Sequence, residues 1–534
     1  MPSRRSLAKL AALATVLLAS ALAQAGAAAA APLSIKVEGN HFVNGDGQTV
    51  RLLGVNHPSF EYACQFGYGY DDGHMDDADA AAIAAWNASA VRVPLNEDCW
   101  LGLNGLPSNA GGPPQPLTAA GYQQAVKDYV AALGAHGLYA ILDLHWTSPD
   151  TPPTPGQRAM PDGRSAAFWA SVATSFKDNP AVVFDLFNEP YSPAAVNDPA
   201  HPVGWSCWRD GGCLVPVSSD LAAAPSKTLY PAVGMQALVD AVRATGATQP
   251  IMLGGLDYAN DLTQWLANKP SDPLNQLAAS FHNYQGEACD NANCWNSTIA
   301  SVAGQVPVVS GEFDQDVCAP SNFDEDYMTW SDQHGVGYLA WGWWVLTPQE
   351  IADAGCSAFF LLTDYNGTPA APNGTAVHDH LLRLPPRGIG TAPPAPAPTA
   401  AAGTRTPIRL TRFRAQVKPG GSQVSFTLSS SVDCLAVLTG TTAKRYAPAS
   451  ASAKPKGKPK RRRISLGTVR FSLEAGKQRT VVLNLSKRGA SLLAAKHRLK
   501  ASFTVTLTNS ASARTVLQRV ATLKLPAPPR RHHR

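Results

Sequence analysis

Charged side chains are scarce in this chain, at 16% of 534 residues against 45% hydrophobic. Disorder along the whole length is therefore excluded. A chain of this size has room for two or more domains and a sizeable core. No Cys-x-x-Cys pair occurs, which removes zinc ribbons and thioredoxin-like redox motifs, and no His-Glu-x-x-His removes the usual helical zinc site. No G-x-G-x-x-G follows the first expected strand, so a dinucleotide fold has no support. Gly and Pro number 43 each but follow no G-x-y period, which excludes collagen. Acidic residues nearly vanish from 401–534, which holds 28 Lys and Arg against only Asp433 and Glu474. The other 400 residues carry 16 basic and 37 acidic side chains, so the net +5 conceals a −21 part and a +26 part. Such a division marks two modules with different surfaces.

Long apolar runs are also missing, with one partial exception. Leu10–Ala23 follows Arg4, Arg5 and Lys9 and ends on the small-residue patterns Ala21-Leu22-Ala23 and Ala23-Gln24-Ala25. Its 14 residues fall short of the ~20 of a membrane span and read as a secretory signal within 1–31. The mature protein is thus expected to be secreted, extracellular and without stable membrane insertion. Eight of the nine cysteines precede residue 360, an even number in an exported module, which suggests disulfides. Spacing favours Cys207–Cys213 and Cys289–Cys294, with Cys64–Cys99 and Cys318–Cys356 as longer pairs. Cys434 is left over.

Eight short apolar runs read as strands: Val50–Asn56, Ala90–Leu95, Ala140–Trp146, Val182–Glu189, Pro250–Leu256, Ala278–Tyr284, Val306–Phe313 and Gly337–Trp344. Most are continuous rather than alternating, as expected when both faces are buried. Helical stretches such as Asp77–Trp86, Ala119–His136, Ser165–Phe176 and Ala232–Ala244 lie between them. The pattern predicts an α/β fold, a (β/α)8 TIM barrel over 32–386, with an open doubly wound sheet as the alternative. An Ala/Pro/Thr-rich linker follows over 387–406. A smaller all-β sandwich, immunoglobulin- or fibronectin-like, is expected over 407–527, and 528–534 is a basic tail.

In such a barrel the chemistry sits where strands end. Those ends carry Asn56-His57, Arg92, His145-Trp146, Asn188-Glu189, His282-Asn283-Tyr284, Glu312, and Trp341, Trp343 and Trp344. Two glutamates after apolar strands are costly without partners or a task. They stand 123 positions apart, so only a closed fold unites them. Paired carboxylates are the machinery of glycoside hydrolysis, and tryptophans offer faces on which sugar rings stack.

Phe187-Asn188-Glu189-Pro190 followed by Gly311-Glu312-Phe313 resembles the retaining β-glycosidases, in particular glycoside hydrolase family 5, the cellulase family. Gly54-Val55-Asn56, Val91-Arg92-Val93-Pro94, Leu142-Asp143-Leu144-His145 and His282-x-Tyr284 extend the resemblance over about residues 33–385. It implies Glu189 as general acid/base and Glu312 as nucleophile, their carboxyls ~5–5.5 Å apart. It further implies Asn188 at the sugar 2-hydroxyl, Arg92 and Tyr284 against Glu312, and His145 and His282 lining the site. Trp341 would be the stacking platform, with Trp343 as a second candidate. No metal and no cofactor are implied. Asp314 departs from the family, many of whose members carry Gly there. The implied activity is a secreted endo-β-glycanase, β-1,4-glucan being the leading substrate. A mannanase, an exo-β-glycosidase or transglycosylase, and a non-catalytic glycan-binding protein are the alternatives.

The basic module has no Trp and only Tyr446, too few aromatics to stack on crystalline cellulose. Its charge suits an anionic cell-wall polymer. Nucleic acid is not expected, because Lys454–Arg463 lacks interleaved aromatics and export removes the target. A monomer is expected.

Overall fold

The structure is a computed structural model. It describes residues 33–525 apart from 109–116, 150–156, 197, 199, 219–226, 318–320, 356–357, 389–409, 419–420, 432–433, 445, 447–462, 474 and 509–513. The expected signal, most of the linker, the basic run 454–462, the tail and the Cys318–Cys356 pair lie outside the described residues.

Eight parallel strands close into a barrel: β1 (Leu53–Asn56), β2 (Ala90–Asn96), β3 (Tyr139–Trp146), β4 (Val182–Asp185), β5 (Ile251–Gly254), β6 (Leu277–Tyr284), β7 (Val308–Asp314) and β8 (Gly337–Ala340). This is the expected (β/α)8 barrel, and the open-sheet alternative falls. Two strands fall furthest short of their apolar runs. β4 stops at Asp185, and β8 stops at Ala340 rather than Trp344. Beyond these points the chain leaves the regular ladder and keeps single bonds, such as Asn188 N–H to Leu144 C=O and Trp343 N–H to Asn56 C=O.

Each barrel strand alternates between two environments, as the pleat requires. Val91 and Val93, Ala140, Leu142 and Leu144, and Ala279 and Phe281 face the helices in the main core. Ala90, Ile141, Val183, Met252, Ala278, Val309 and Leu339 face inward and form an apolar floor with Ile35, Val37 and Phe42. Those three belong to a small antiparallel sheet of Ile35–Glu38, His41–Asn44 and Thr49–Val50. Two residues further along four of the strands, the same inward columns turn polar: Arg92 on β2, Asp143 and His145 on β3, Asp185 on β4, Ser280, His282 and Tyr284 on β6. The floor supplies the hydrophobic seal, and the polar layer above it supplies the chemistry.

Outside the barrel, α1 (Asp77–Ala85) is capped by the Asp76 side chain, which accepts from Asp79 N–H. α2 (Ala119–Ala135) is capped by Thr118 and buries Tyr122, Val126, Tyr129, Val130 and Leu133 at helical spacing. Among the described residues three disulfides form: Cys207–Cys213 and Cys289–Cys294, the pairings favoured by spacing, and Cys64–Cys99, one of the longer pairs.

The C-terminal residues form two antiparallel sheets with their own core. One holds β9 (Leu410–Val417), β10 (Gln423–Ser430) and β13 (Arg479–Asn484). The other holds β11 (Cys434–Thr442), β12 (Ser465–Leu473), β14 (Arg498–Thr508) and β15 (Arg514–Lys524). Phe426 of the first sheet meets Phe503 of the second edge-to-face at 4.9 Å. Cys434 is buried in this core. A helix, α3 (Lys487–Lys496), capped by Ser486, was not expected among the strands.

Candidate active site

Arg92 organises the polar layer. It is fully buried and uses its whole guanidinium. Nε donates to Asp185 at 2.9 Å, Nη1 to Glu312 at 2.8 Å and Asn56 at 3.1 Å, and Nη2 to Asn188 at 2.8 Å. Nη2 also lies 3.0 Å from Asp143. Burial opposes its charge, but Asp143, Asp185 and Glu312 hold its pKa above the usual value.

Glu312 reaches the barrel interior through a defect. Val309 faces the floor, so strict alternation would turn Glu312 outward. The register shifts between Phe281 and His282 against β7, and between Ser310 and Phe313 against β8. This bulge turns Glu312 inward and leaves Phe313 in the outer core. Gly311 permits it: a Cβ there would stand 2.8 Å from both His282 Nε2 and Ser280 Oγ. The Glu312 carboxylate accepts from Arg92 through one oxygen and from Tyr284 OH at 2.8 Å through the other. Burial foremost, then Glu312 itself, keeps the Tyr284 proton in place.

Glu189 sits opposite, with 14% of its side chain exposed. Its oxygens meet His282 Nδ1 at 2.9 Å and Gln157 Nε2 at 2.8 Å. Burial pushes Glu189 up to about 7, against the Gln157 hydrogen bond. Burial also pushes His282 down to about 4. Near neutrality the imidazole therefore stays uncharged. His145 donates to or accepts from Asp143 at 2.7 Å, is pushed by burial down to about 4, and stacks on Trp341 at 5.4 Å. Asn188 donates to Gln157 at 2.8 Å, which locks its amide orientation.

One ligand-type atom each from Glu189, His282 and Glu312 lies within 4.8 Å of the others. The two carboxyls are thus close, well under the ~6.5–9.5 Å that an intervening water needs in an inverting site. The same three groups are the described residues that could hold a metal ion. Each is already committed to a hydrogen bond that an ion would have to displace.

The structure brings together Glu189, Glu312, Arg92, His145, Asn188, His282, Tyr284 and Trp341. Trp343 does not join them, and its assignment to the substrate is corrected. It is fully buried, its indole N–H donates to Asp79 at 2.7 Å, and its ring meets Trp86 edge-on at 4.8 Å. β8 ends before Trp341, so strand alternation does not carry over to Trp343. Gln157, Asp143 and Asp185 were missed as site residues. The Asp143-x-His145 spacing places both on one strand face and was a usable signal. Gln157 lies in a loop with no motif.

A closed parallel barrel carrying two adjacent glutamates at its C-terminal mouth, one fixed by Arg and Tyr and one by His and Gln, defines a glycoside-hydrolase barrel. Residues 43–346 match the model of the cellulase family, glycosyl hydrolase family 5, and the chain belongs to that family. Endoglucanase 1 of Robillarda sp. (strain Y-20) is 27% identical over 183 residues, 30% of this chain and 38% of that protein. A mannan endo-1,4-beta-mannosidase of Streptomyces lividans is 25% identical over 336 residues, 61% of this chain and 70% of that one. The chain thus spans little more than a third of the first relative's length. The beta-glucanase SdGluc5_26A of Saccharophagus degradans, solved in complex with cellotetraose, superposes with a TM-score of 0.48 at 18% identity, over 66% of this chain and 93% of that one. Among the described residues no helix is long and apolar enough to cross a membrane.

Proposed function

We propose that the protein is a retaining endo-β-glycanase that hydrolyses a β-linked polysaccharide, β-1,4-glucan first. The observation that carries this reading is the close Glu189–Glu312 pair with opposite surroundings. Glu189 is desolvated and protonated up to about pH 7, so it donates its proton to the leaving glycosidic oxygen. Glu312, oriented by Arg92 and Tyr284, attacks the anomeric carbon and forms a glycosyl-enzyme while the C–O bond to the leaving group breaks. Glu189, now a carboxylate, takes a proton from water, which attacks the same carbon and releases Glu312. Asn188, its amide fixed by Arg92 and Gln157, which bond Glu312 and Glu189 in turn, meets the sugar 2-hydroxyl. His145 backs the Trp341 face, on which the reacting sugar stacks. Neutral His145 and His282 tune and position without adding charge.

The Streptomyces lividans relative supports mannan as the second substrate reading. The N-terminal signal supports export. The +26 of the C-terminal residues supports retention at an anionic wall polymer through screened electrostatics. The test is a screen of the purified protein on β-glucan, mannan and xylan with product lengths resolved. Internal cleavage of one of them, abolished by Glu312→Ala, is the expected result. Inactivity on all three, with the Glu312→Ala protein indistinguishable from wild type, overturns the reading.

A further inference from the structure

The loop after β5 holds a backbone outlier that the reaction leaves unexplained. Asp257, Tyr258 and Ala259 all have positive φ, at 61°, 61° and 57°. L-residues visit this left-handed region singly, and a run of three persists only where its surroundings over-determine it. The surroundings are the two ends of the Glu189–His282 contact. Tyr258 N–H donates to Pro190 C=O at 3.1 Å, next to Glu189, and the Tyr258 ring stacks on buried Tyr191 at 4.8 Å. Ala259 C=O accepts from His282 N–H at 3.2 Å. The Asn260 amide donates to His282 C=O at 2.8 Å.

Both grips on His282 fill a gap in the barrel. β5 pairs with β6 as far as Gly254 and Ser280 and then stops, so the strand offers nothing at the level of His282. A buried peptide unit still needs partners there, and the loop supplies them. Asn260, only 4% exposed, is fixed in turn: its Oδ1 accepts from Cys289 N–H at 2.8 Å, beside the Cys289–Cys294 disulfide. The imidazole has little else to orient it. Nδ1 meets Glu189 at 2.9 Å, and Nε2 has no hydrogen-bond partner among the described residues. Where the ring stands against Glu189 therefore depends on where the peptide of residue 282 is held.

We propose that Asn260 is a positioning residue for the acid/base. Together with the left-handed turn 257–259 it braces the His282 peptide, and so sets how the imidazole meets Glu189. The inference deepens the function proposed above, on which its kinetic test rests.

The experiment measures kcat and KM for wild type, Asn260→Ala, Asn260→Asp, His282→Ala and Asn260→Ala/His282→Ala on whichever β-glycan the wild type cleaves. Asn260→Asp keeps the shape and the acceptor for Cys289 N–H but loses the donor to His282 C=O, so it also serves where the alanine variant fails to fold. The brace predicts that both Asn260 variants lower kcat roughly tenfold with KM unchanged, the scale of a misplacement by a fraction of an ångström. It predicts that Asn260→Ala costs less than about twofold more in the His282→Ala background, because the two residues act as a unit. Losses that add in that background, or an Asn260→Asp enzyme with wild-type kcat, overturn the brace and leave the hydrolase reading intact. The imidazole NMR signals of substrate-free protein carrying isotope-labelled histidine are read in parallel, that of His282 being assigned by its loss in His282→Ala. This signal is expected to move in both Asn260 variants. If the wild type cleaves no glycan, the hydrolase reading fails and the signal decides alone: a displaced signal supports the brace, and an unmoved one overturns it.

Discussion

Replacing Arg92 by Met removes the one cation at the centre of the barrel. Three carboxylates, Asp143, Asp185 and Glu312, are left with 0–5% side-chain exposure and no positive partner. Breaking a buried pair by deleting one member costs about 3–5 kcal/mol. For a barrel of about 350 residues, with an unfolding entropy of ~2.1 cal/mol/K per residue, that corresponds to a Tm drop on the order of 4–7 °C. The loss depends on pH, with a definite sign. Burial already pushes Asp185 up to about 6 and Asp143 up to about 7, and Arg92 is what opposes that rise. Without it both folded-state values climb further above the ~3.9 of an unfolded Asp. Carboxyls raised in the folded state contribute stability that is present below ~pH 4 and lost as pH rises through the folded values. The variant's deficit is therefore smallest near pH 4 and grows through pH 6–8. Thermal melts of wild type and Arg92→Met at pH 4.5 and 8 measure it. A deficit that is equal at both values, or largest at the acidic one, refutes the reasoning. The activity effect is separate: Glu312 and Asn188 each lose a charge-assisted hydrogen bond of about 1.5–3 kcal/mol, so kcat/KM is expected to fall by ~10²-fold or more.

The pH profile of kcat/KM should fall as pH rises through about 7, because Glu189 must carry its proton. Glu189→Gln should abolish that limb and lower the rate by ~10²–10⁴-fold on substrates with poor leaving groups. Gly311→Ala places a methyl against His282 and Ser280 and should cost about 1–3 kcal/mol of stability, measured by denaturant unfolding. Its kcat should drop more than Ser310→Ala lowers it, because His282 is what moves toward Glu189. Trp343→Phe should lower Tm through the lost Asp79 hydrogen bond with KM unchanged, whereas Trp341→Ala should raise KM on every substrate.

The catalytic layer was legible because polar residues interrupt otherwise apolar strands. Arg92, His145, Glu189 and Glu312 each follow residues that only a buried strand would use. The inward or outward direction of those strands was not legible, since both faces are apolar in β2, β3 and β6 and alternation leaves no trace. The bulge that turns Glu312 inward is invisible for the same reason, though Gly311 beside it was the clue. Trp343 was misread because the apolar run continues past the point where β8 leaves the ladder. Gln157 had no signal, since its role comes from a loop crossing the mouth. In the basic sequence after 407 an all-β sandwich was legible but α3 was not, because Gly489 lowers the helical preference of its stretch.

The central claim is double displacement at a close glutamate pair. Proton NMR of the first products from the cleaved β-glycan, recorded before mutarotation, tests it most directly. The account predicts that the new reducing ends appear first as the β-anomer and equilibrate later. New reducing ends that appear first as the α-anomer would mean direct attack by water and would contradict it.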